Sequence, residues 1–450
     1  MTTDNTGATE HETLPGSSGL PLLGQTLSFL KDAFGFVERG VAQHGPVFRT
    51  NILGRSTAVI VGPEACARWI DPACIERLGA MPPHVKELFG GESLPSLDGV
   101  AHANRKQLVL AGFRKDALAS YLPALEETLE QYFARWDEKK EFAWVDELKR
   151  LAIQAICLNV IGIGPGPELD QLLADYGTLG PGLGSLPIPL PGTAFSRARA
   201  GLARIFQVLG KAVHDHQERP RDDGLSRMLA AVTADGTKLG ADEAVRELHH
   251  IVVAGFIVWG ELAAMAMLLD RHPDVRAKVT EEVARVSKTG PVTLETLRAM
   301  PYVAQTVMEV KRLCPIVPAL FGKAKTSFEL GGYTIPKGWM VLLGVYSGNL
   351  VPAIYANTSA FDPARFAGPR REQDRHEHAY APQGPGPAEG HKCPGLDYST
   401  CFMSLYLVHL IRGCTWELPP QDLEYRWGLI PPEPKDGLKV RFARGGPGSS

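Results

Sequence analysis

A mainly α protein with small β-sheets is what this chain predicts, on three observations. Apolar residues recur at helical spacing from about 100 to 180 and from 196 to 300, as in "LPALEETLEQYFARW" and "DELKRLAIQAICLNVIG". Runs rich in β-branched and aromatic residues are short and fall near both ends of the chain, at about 45–75 and 320–350. One segment, "ELHHIVVAGFIVWGELAAMAMLLDRH" (247–272), is apolar nearly all round, which places it at the centre of the protein.

In chain order, "MTTDNTGATEHETLPGSSG" is polar and has no apolar run, so it reads as neither a signal peptide nor a membrane anchor. Residues 1–12 and 443–450 read as disordered tails around a single domain over 13–442. Within it, 45–75 and 320–350 form a β-rich lobe and the remainder a helical lobe. "PVFRTNIL" and "STAVIVG" form a hairpin around Gly54-Arg55, and "SFELGGYTIPKGWMVLLGVY" a hairpin plus a strand. The Pro/Gly-rich stretch 180–193 is a loop. With 80–95, it is expected to form a mobile lid over an apolar pocket. The 247–272 segment reads as one continuous helix. It is long enough to span a membrane, but Glu261 and the flanking His249-His250 pair argue against that.

The bulk properties exclude several classes. Apolar residues make up 44% and charged residues 22%, as in a globular protein, and a net charge of −3 gives no footprint for nucleic acid. The seven cysteines are odd in number, scattered and without a CxxC, which excludes a disulfide framework and a zinc site and points to a reducing, cytoplasmic setting.

One of those cysteines stands apart. Cys393 ends the turn-rich stretch "PQGPGPAEGHKCPG" (382–395), just before the apolar run "LDYSTCFMSLYLVHLIRG". It therefore lies where a loop enters a helix, with Pro394 suited to the first turn. The positive end of that helix favours a thiolate; the alternative is a structural cysteine. Upstream, "MEVKRLCP" sets Glu309 and Arg312 three apart on one helix face, and "FDPARF" supplies Arg365 between two aromatics. A shared network of these three would be charge-assisted and fixed.

Glu-x-x-Arg, then aromatic-x-Pro-x-Arg-Phe, then a Gly-rich loop ending in Cys-x-Gly together resemble the cytochrome P450 family. The resemblance covers residues 13–442 and implies the P450 fold, with haem b between the central helix and the cysteine loop. It makes Cys393 the metal ligand, a thiolate that pushes electron density toward the opposite side of the iron. Glu309, Arg312 and Arg365 become the brace behind that loop, and Gly395 the residue that lets the helix approach the porphyrin. "DGVAHANRKQLVLAGF" is similar to the helix beside the haem propionates, which assigns cofactor contacts to His102 and Lys106. His391 and Lys323 match further positions of that kind. The loop is most similar to that of the fatty-acid peroxygenase branch, but the Arg-Pro pair by which that branch holds a carboxylate is replaced by Val253-Ala254.

The family's proton-delivery motif, Ala/Gly-Gly-x-Asp/Glu-Thr, is also missing. Here Ala254, Gly255, Phe256, Ile257 and Val258 occupy the catalytic stretch, and neither possible register places an acid beside an alcohol. Glu261, one turn on, is either a substitute proton donor or a structural ion-pair partner; Trp259 reads as core. An apolar wall of this kind suits an enzyme that cleaves an activated O–O or N–O bond, by peroxide rearrangement or by oxo or nitrene transfer. The substrate class is a mid-sized apolar molecule of secondary metabolism. The alternatives are a conventional monooxygenase, with ferredoxin and ferredoxin reductase as partners and protons from water or substrate, and a non-enzymatic haem sensor or carrier.

Overall fold

The computed structural model describes residues 13–21, 23–314 and 316–445. Residues 1–12, read above as a tail, lie outside the described residues. Helices dominate, and the β-rich lobe lies where the sequence places it. Its sheet is five-stranded, in the order Val47–Ile52, Arg55–Ile60, Met340–Leu343, Leu320–Ala324, Ile75–Glu76. Val47–Ile52 and Arg55–Ile60 pair antiparallel with Ile52 opposite Arg55, so the turn is Leu53-Gly54, one residue earlier than predicted. Both turn residues have positive φ, 54° and 72°, as a tight two-residue hairpin requires. Phe328–Leu330 and Tyr333–Ile335 form the second predicted hairpin.

The helical lobe departs from expectation in three places. It also carries a three-stranded sheet, in which Lys439–Arg444 pairs with Glu141–Ala143 on one side and Cys414–Glu417 on the other. That strand runs past the expected tail boundary at 442: Ala443 and Arg444 face Thr415 and Cys414. The helix Pro167–Leu183 takes in the first residues of the predicted 180–193 loop, because Leu179 and Gly182 find buried positions. Third, the central segment is two helices, Ala241–Phe256 and Trp259–Arg271, separated at Ile257-Val258.

That break is a tightening of the backbone, not a proline kink. The Val258 N–H reaches back to the Gly255 carbonyl at 3.4 Å and the Gly260 N–H to the Ile257 carbonyl at 3.1 Å, both three-residue spans. By length and composition Ala241–Arg271 could cross a membrane, but most of it is buried within the protein. Around it packs the main core, with Trp136, Trp144, Phe133 and Tyr406 fully enclosed.

Candidate active site

The brace is built as its spacing predicts. Glu309 and Arg312, on the helix Pro301–Leu313, pair through two bonds of 2.7 and 2.8 Å, and Arg365 donates to Glu309 Oε1 at 2.9 Å. All three side chains are fully buried. Every remaining guanidinium hydrogen-bond direction points at an acceptor. Arg312 donates to the carbonyls of Thr358 (2.7 Å), Asn349 and Ala360 (both 3.2 Å). Arg365 donates to the Ala356 carbonyl at 2.9 Å and to Glu372 Oε2 at 2.6 Å. Glu372, which sequence reading missed, is 1% exposed and makes the fully buried charges two carboxylates and two guanidiniums, with the part-exposed Arg370 and Arg375 at its outer side. Burial pushes its carboxyl up, but bonds from Arg370 and Arg365 outweigh that and hold it below the usual range. "RREQD" carries no signal that would single Glu372 out from surface charge.

Cys393 lies before the helix Leu396–Gly413, whose N-cap is Gly395. Pro394 therefore precedes the cap and is not in the first turn, a correction to the expected position. The Cys393 N–H donates to the Gln383 carbonyl at 3.1 Å, which closes the loop on itself. Burial pushes the thiol up; the Gly395 N–H, Lys106 and Lys311 pull it down without fully offsetting that cost. In the protein alone desolvation thus opposes the bias toward thiolate that these groups supply.

Four of the predicted cofactor residues gather here. The His102 and His391 rings stack at 3.8 Å, and Lys106 Nζ donates to the Lys392 carbonyl. Gly395 lies beside the sulfur: a Cβ there would sit 3.9 Å from Cys393 Sγ. Burial, then His391 and Lys106, push the His102 imidazole down to about 4, and burial pushes Lys106 down to about 8. Two further groups were missed by sequence reading. Arg77, buried over the Trp69 ring at 4.2 Å, adds a cation, and Asp98 accepts from the Arg77 and Leu78 N–H groups at 2.6 and 2.8 Å. Lys323 is engaged elsewhere, donating to Glu76 Oε1 at 2.7 Å.

On the opposite side, the predicted catalytic stretch divides by direction. Gly255 faces the helix Trp144–Ile161: a Cβ there would collide with the Ile156 side chain, so only glycine lets the two helices meet. Phe256 packs toward Tyr176, ring centroids 6.4 Å apart. Val253, Ala254 and Ile257 are only half-buried, although Val252 before them and Val258 after them are fully enclosed. At this patch the segment is less closely covered than on either side. Ile316 and Pro431 pack against Gly260, where an added Cβ would meet them at 3.0 and 3.2 Å. Glu261, the alternative proton donor, is buried and paired with Lys311 Nζ at 3.4 Å, its structural role. Trp259 is core, with Lys149 Nζ 5.0 Å over its ring.

Comparison with known proteins agrees with this architecture. The Cytochrome P450 family model matches residues 14–439. The cytochrome P450 120 of Synechocystis sp. is 30% identical over 95% of this chain and 96% of its own. Abscisic acid 8'-hydroxylase 2 of Arabidopsis thaliana is 26% identical over 95% and 89%. Among solved structures, a retinoic-acid-bound cyanobacterial CYP120A1 superposes with a TM-score of 0.89 at 28% identity, covering 97% of this chain and all of that one. A CYP152B1 structure in complex with (R)-ibuprophen superposes at 0.79 with 24% identity, over 93% and 98%, a likeness of fold.

The chain belongs to the cytochrome P450 family. It is therefore a P450 enzyme with a haem iron cofactor, and family members act on small molecules and commonly draw electrons from redox partners. The residues present fit that group. Among the described residues His102 Nε2 is buried without a hydrogen-bond partner, and Lys106 is 1% exposed with a lone carbonyl as its hydrogen-bond acceptor. Unmet donors and cations beside the cysteine suit the propionates of a haem.

Proposed function

We propose that this chain, as one catalytic domain from 13 through the strand that ends at Arg444, is a haem b-thiolate enzyme. It cleaves an O–O or N–O bond already present in a mid-sized apolar substrate of secondary metabolism. In this reading Cys393 is the iron ligand. His102, Lys106 and His391 serve the propionates, Gly395 allows close approach, and Glu309, Arg312 and Arg365 hold the loop; Lys323, bonded to Glu76, has no part in it. The haem, when bound, supplies an iron able to accept an oxygen or nitrogen atom from such a bond. The observation that carries the reading is the helix break at Ile257-Val258, where no acid or alcohol side chain is available to deliver a proton. Val253, Ala254 and Ile257 hold the substrate by apolar contact and keep water from the reacting atoms. Peroxide rearrangement, oxo transfer and nitrene transfer all meet this requirement.

A second reading is favoured by the names of relatives, which include an abscisic acid 8'-hydroxylase and an ent-kaurenoic acid oxidase. It is a conventional monooxygenase in the cytoplasm, fed by ferredoxin and ferredoxin reductase, with protons from an ordered water or a substrate hydroxyl. The two readings separate in a turnover comparison with NADPH plus reductase, with hydrogen peroxide, and with preactivated peroxide or N–O substrates. The first reading expects product from preactivated substrates, and NADPH electrons recovered mainly as peroxide. A positioned proton donor is worth about 10²–10⁴-fold in rate, so Val258→Thr or Ile257→Thr should raise NADPH-coupled product formation. Efficient coupling by the unmodified enzyme, with no gain from Thr, would establish the second reading.

A further inference from the structure

Lys311 occupies an interior position of the Glu309–Arg312 turn but takes no part in that ion network. It is 3% exposed. Three acceptors converge on its Nζ: Ser399 Oγ at 2.9 Å, Gln383 Oε1 at 3.0 Å and Glu261 Oε2 at 3.4 Å. An ammonium has three hydrogens, and burial makes each costly to leave unmet, so three acceptors are the number required.

Each acceptor belongs to a different part of the site. Gln383 opens the cysteine loop, and its backbone carbonyl takes the Cys393 N–H at 3.1 Å. Ser399 lies in the first turn of the helix that follows the cysteine. Its N–H donates to the Gly395 carbonyl at 2.9 Å, and its hydroxyl donates to the Leu396 carbonyl at 3.0 Å while accepting from Gln383 Nε2 at 3.1 Å. Glu261 stands on the first turn after the distal break. One cation therefore ties the loop on both sides of Cys393 to the helix across the cleft. Lys311 thus brings a positive charge, and Glu261 a negative one, into contact with the groups that hold the loop.

We propose that Lys311 is a positioning residue that sets how strongly the Cys393 sulfur donates to the haem iron: it fixes the loop and places a positive charge on the residues that hold it on both sides of the sulfur, which Glu261 partly cancels. This rests on the reading of Cys393 as iron ligand. Reduction of the iron adds one negative charge to the site. A nearby cation favours the reduced form and a nearby anion disfavours it. A pair that merely pinned two helices together would lower stability in either variant and leave the potential unmoved.

The test is a redox titration of the haem-loaded protein, with the carbon monoxide difference spectrum recorded for each variant. Lys311→Met should shift the iron potential to more negative values and Glu261→Gln to more positive ones. Lys311→Arg, which keeps the charge, should stay near the unmodified protein. Equal potentials, or shifts of the same sign in Lys311→Met and Glu261→Gln, overturn the proposal. If Lys311→Met yields no soluble haem protein, Glu261→Gln decides alone: a positive shift supports the proposal, and an unchanged or negative one overturns it. Absence of the thiolate-type carbon monoxide band in the unmodified protein would overturn the Cys393 reading instead, and this proposal with it.

Discussion

Behind Cys393, the buried carboxylates and guanidiniums of Glu309, Arg312, Arg365 and Glu372 neutralise and hydrogen-bond one another. Across the cleft, from Val253 to Val258, the chain presents no charged or hydroxyl side chain at all. The two sides answer to different physics. A buried ion network is strongly destabilised by removal of one member, because the partners keep their desolvation cost and lose their attraction. An apolar wall has no such debt, and its members are constrained by volume alone. Substitutions behind the cysteine should therefore register first in stability and haem content, and those on the distal wall first in the reaction.

Glu309→Ala is the harshest way to break this contrast. It leaves the buried cations Arg312 and Arg365 with only Glu372 between them. Losing one partner of a buried network costs about 3–5 kcal/mol, which is a large part of the stability of an ordinary domain. Little soluble, haem-loaded protein is expected, measured as haem absorbance per unit protein together with denaturant unfolding. Normal haem content and an unshifted unfolding midpoint would mean the brace carries nothing.

Among the buried polar groups of the distal helix, His249 sharpens the comparison by titrating. The His249 ring is fully enclosed and bonds the Leu88 carbonyl through Nε2 at 2.9 Å. Burial pushes it down to about 4, whereas an unfolded histidine titrates near 6.5. Between those values the unfolded chain takes up the proton and the folded one does not. The stabilisation is thus complete above pH 6.5 and is lost as pH falls toward 4, by about 3 kcal/mol in all. His249→Phe should flatten the fall in unfolding midpoint between pH 7 and pH 4. An unchanged slope would show that the ring is protonated in place.

A smaller effect is expected from the wall itself. Gly255→Ala puts a methyl group into the Ile156 side chain. Overpacking of this kind costs about 1–3 kcal/mol, read as a lower unfolding midpoint with haem content retained. Haem loss comparable to that of Glu309→Ala would erase the distinction between the two sides.

How much of this was legible depended on whether the signal was local. Glu309, Arg312, Arg365 and Cys393 stand in short patterns whose spacing already constrains geometry, and the structure joins the first three as predicted. Glu372 and Lys311 carry no such pattern, since nothing in "RREQD" or "EVKR" tells which side chain folding will enclose. The break at Ile257-Val258 has no proline to announce it; Gly255, a glycine in an otherwise bulky run, was the one available clue. The sheet joining Glu141–Ala143 to Lys439–Arg444 is built from short strands about 300 residues apart, a pairing that only the packed helices bring about. Pro394 was placed too far into its helix because Gly395 takes the cap and the first turn starts at Leu396.

The central claim is that the sulfur of Cys393 holds the iron, with the charged side of the cleft arranged to keep it there. The direct measurement is the carbon monoxide difference spectrum of the reduced protein for Cys393→Ala beside Cys401→Ala, whose thiol lies eight residues on, buried in the following helix. The thiolate-type band should be absent in Cys393→Ala and retained in Cys401→Ala. A band that survives in Cys393→Ala would contradict the account and return Cys393 to a structural role.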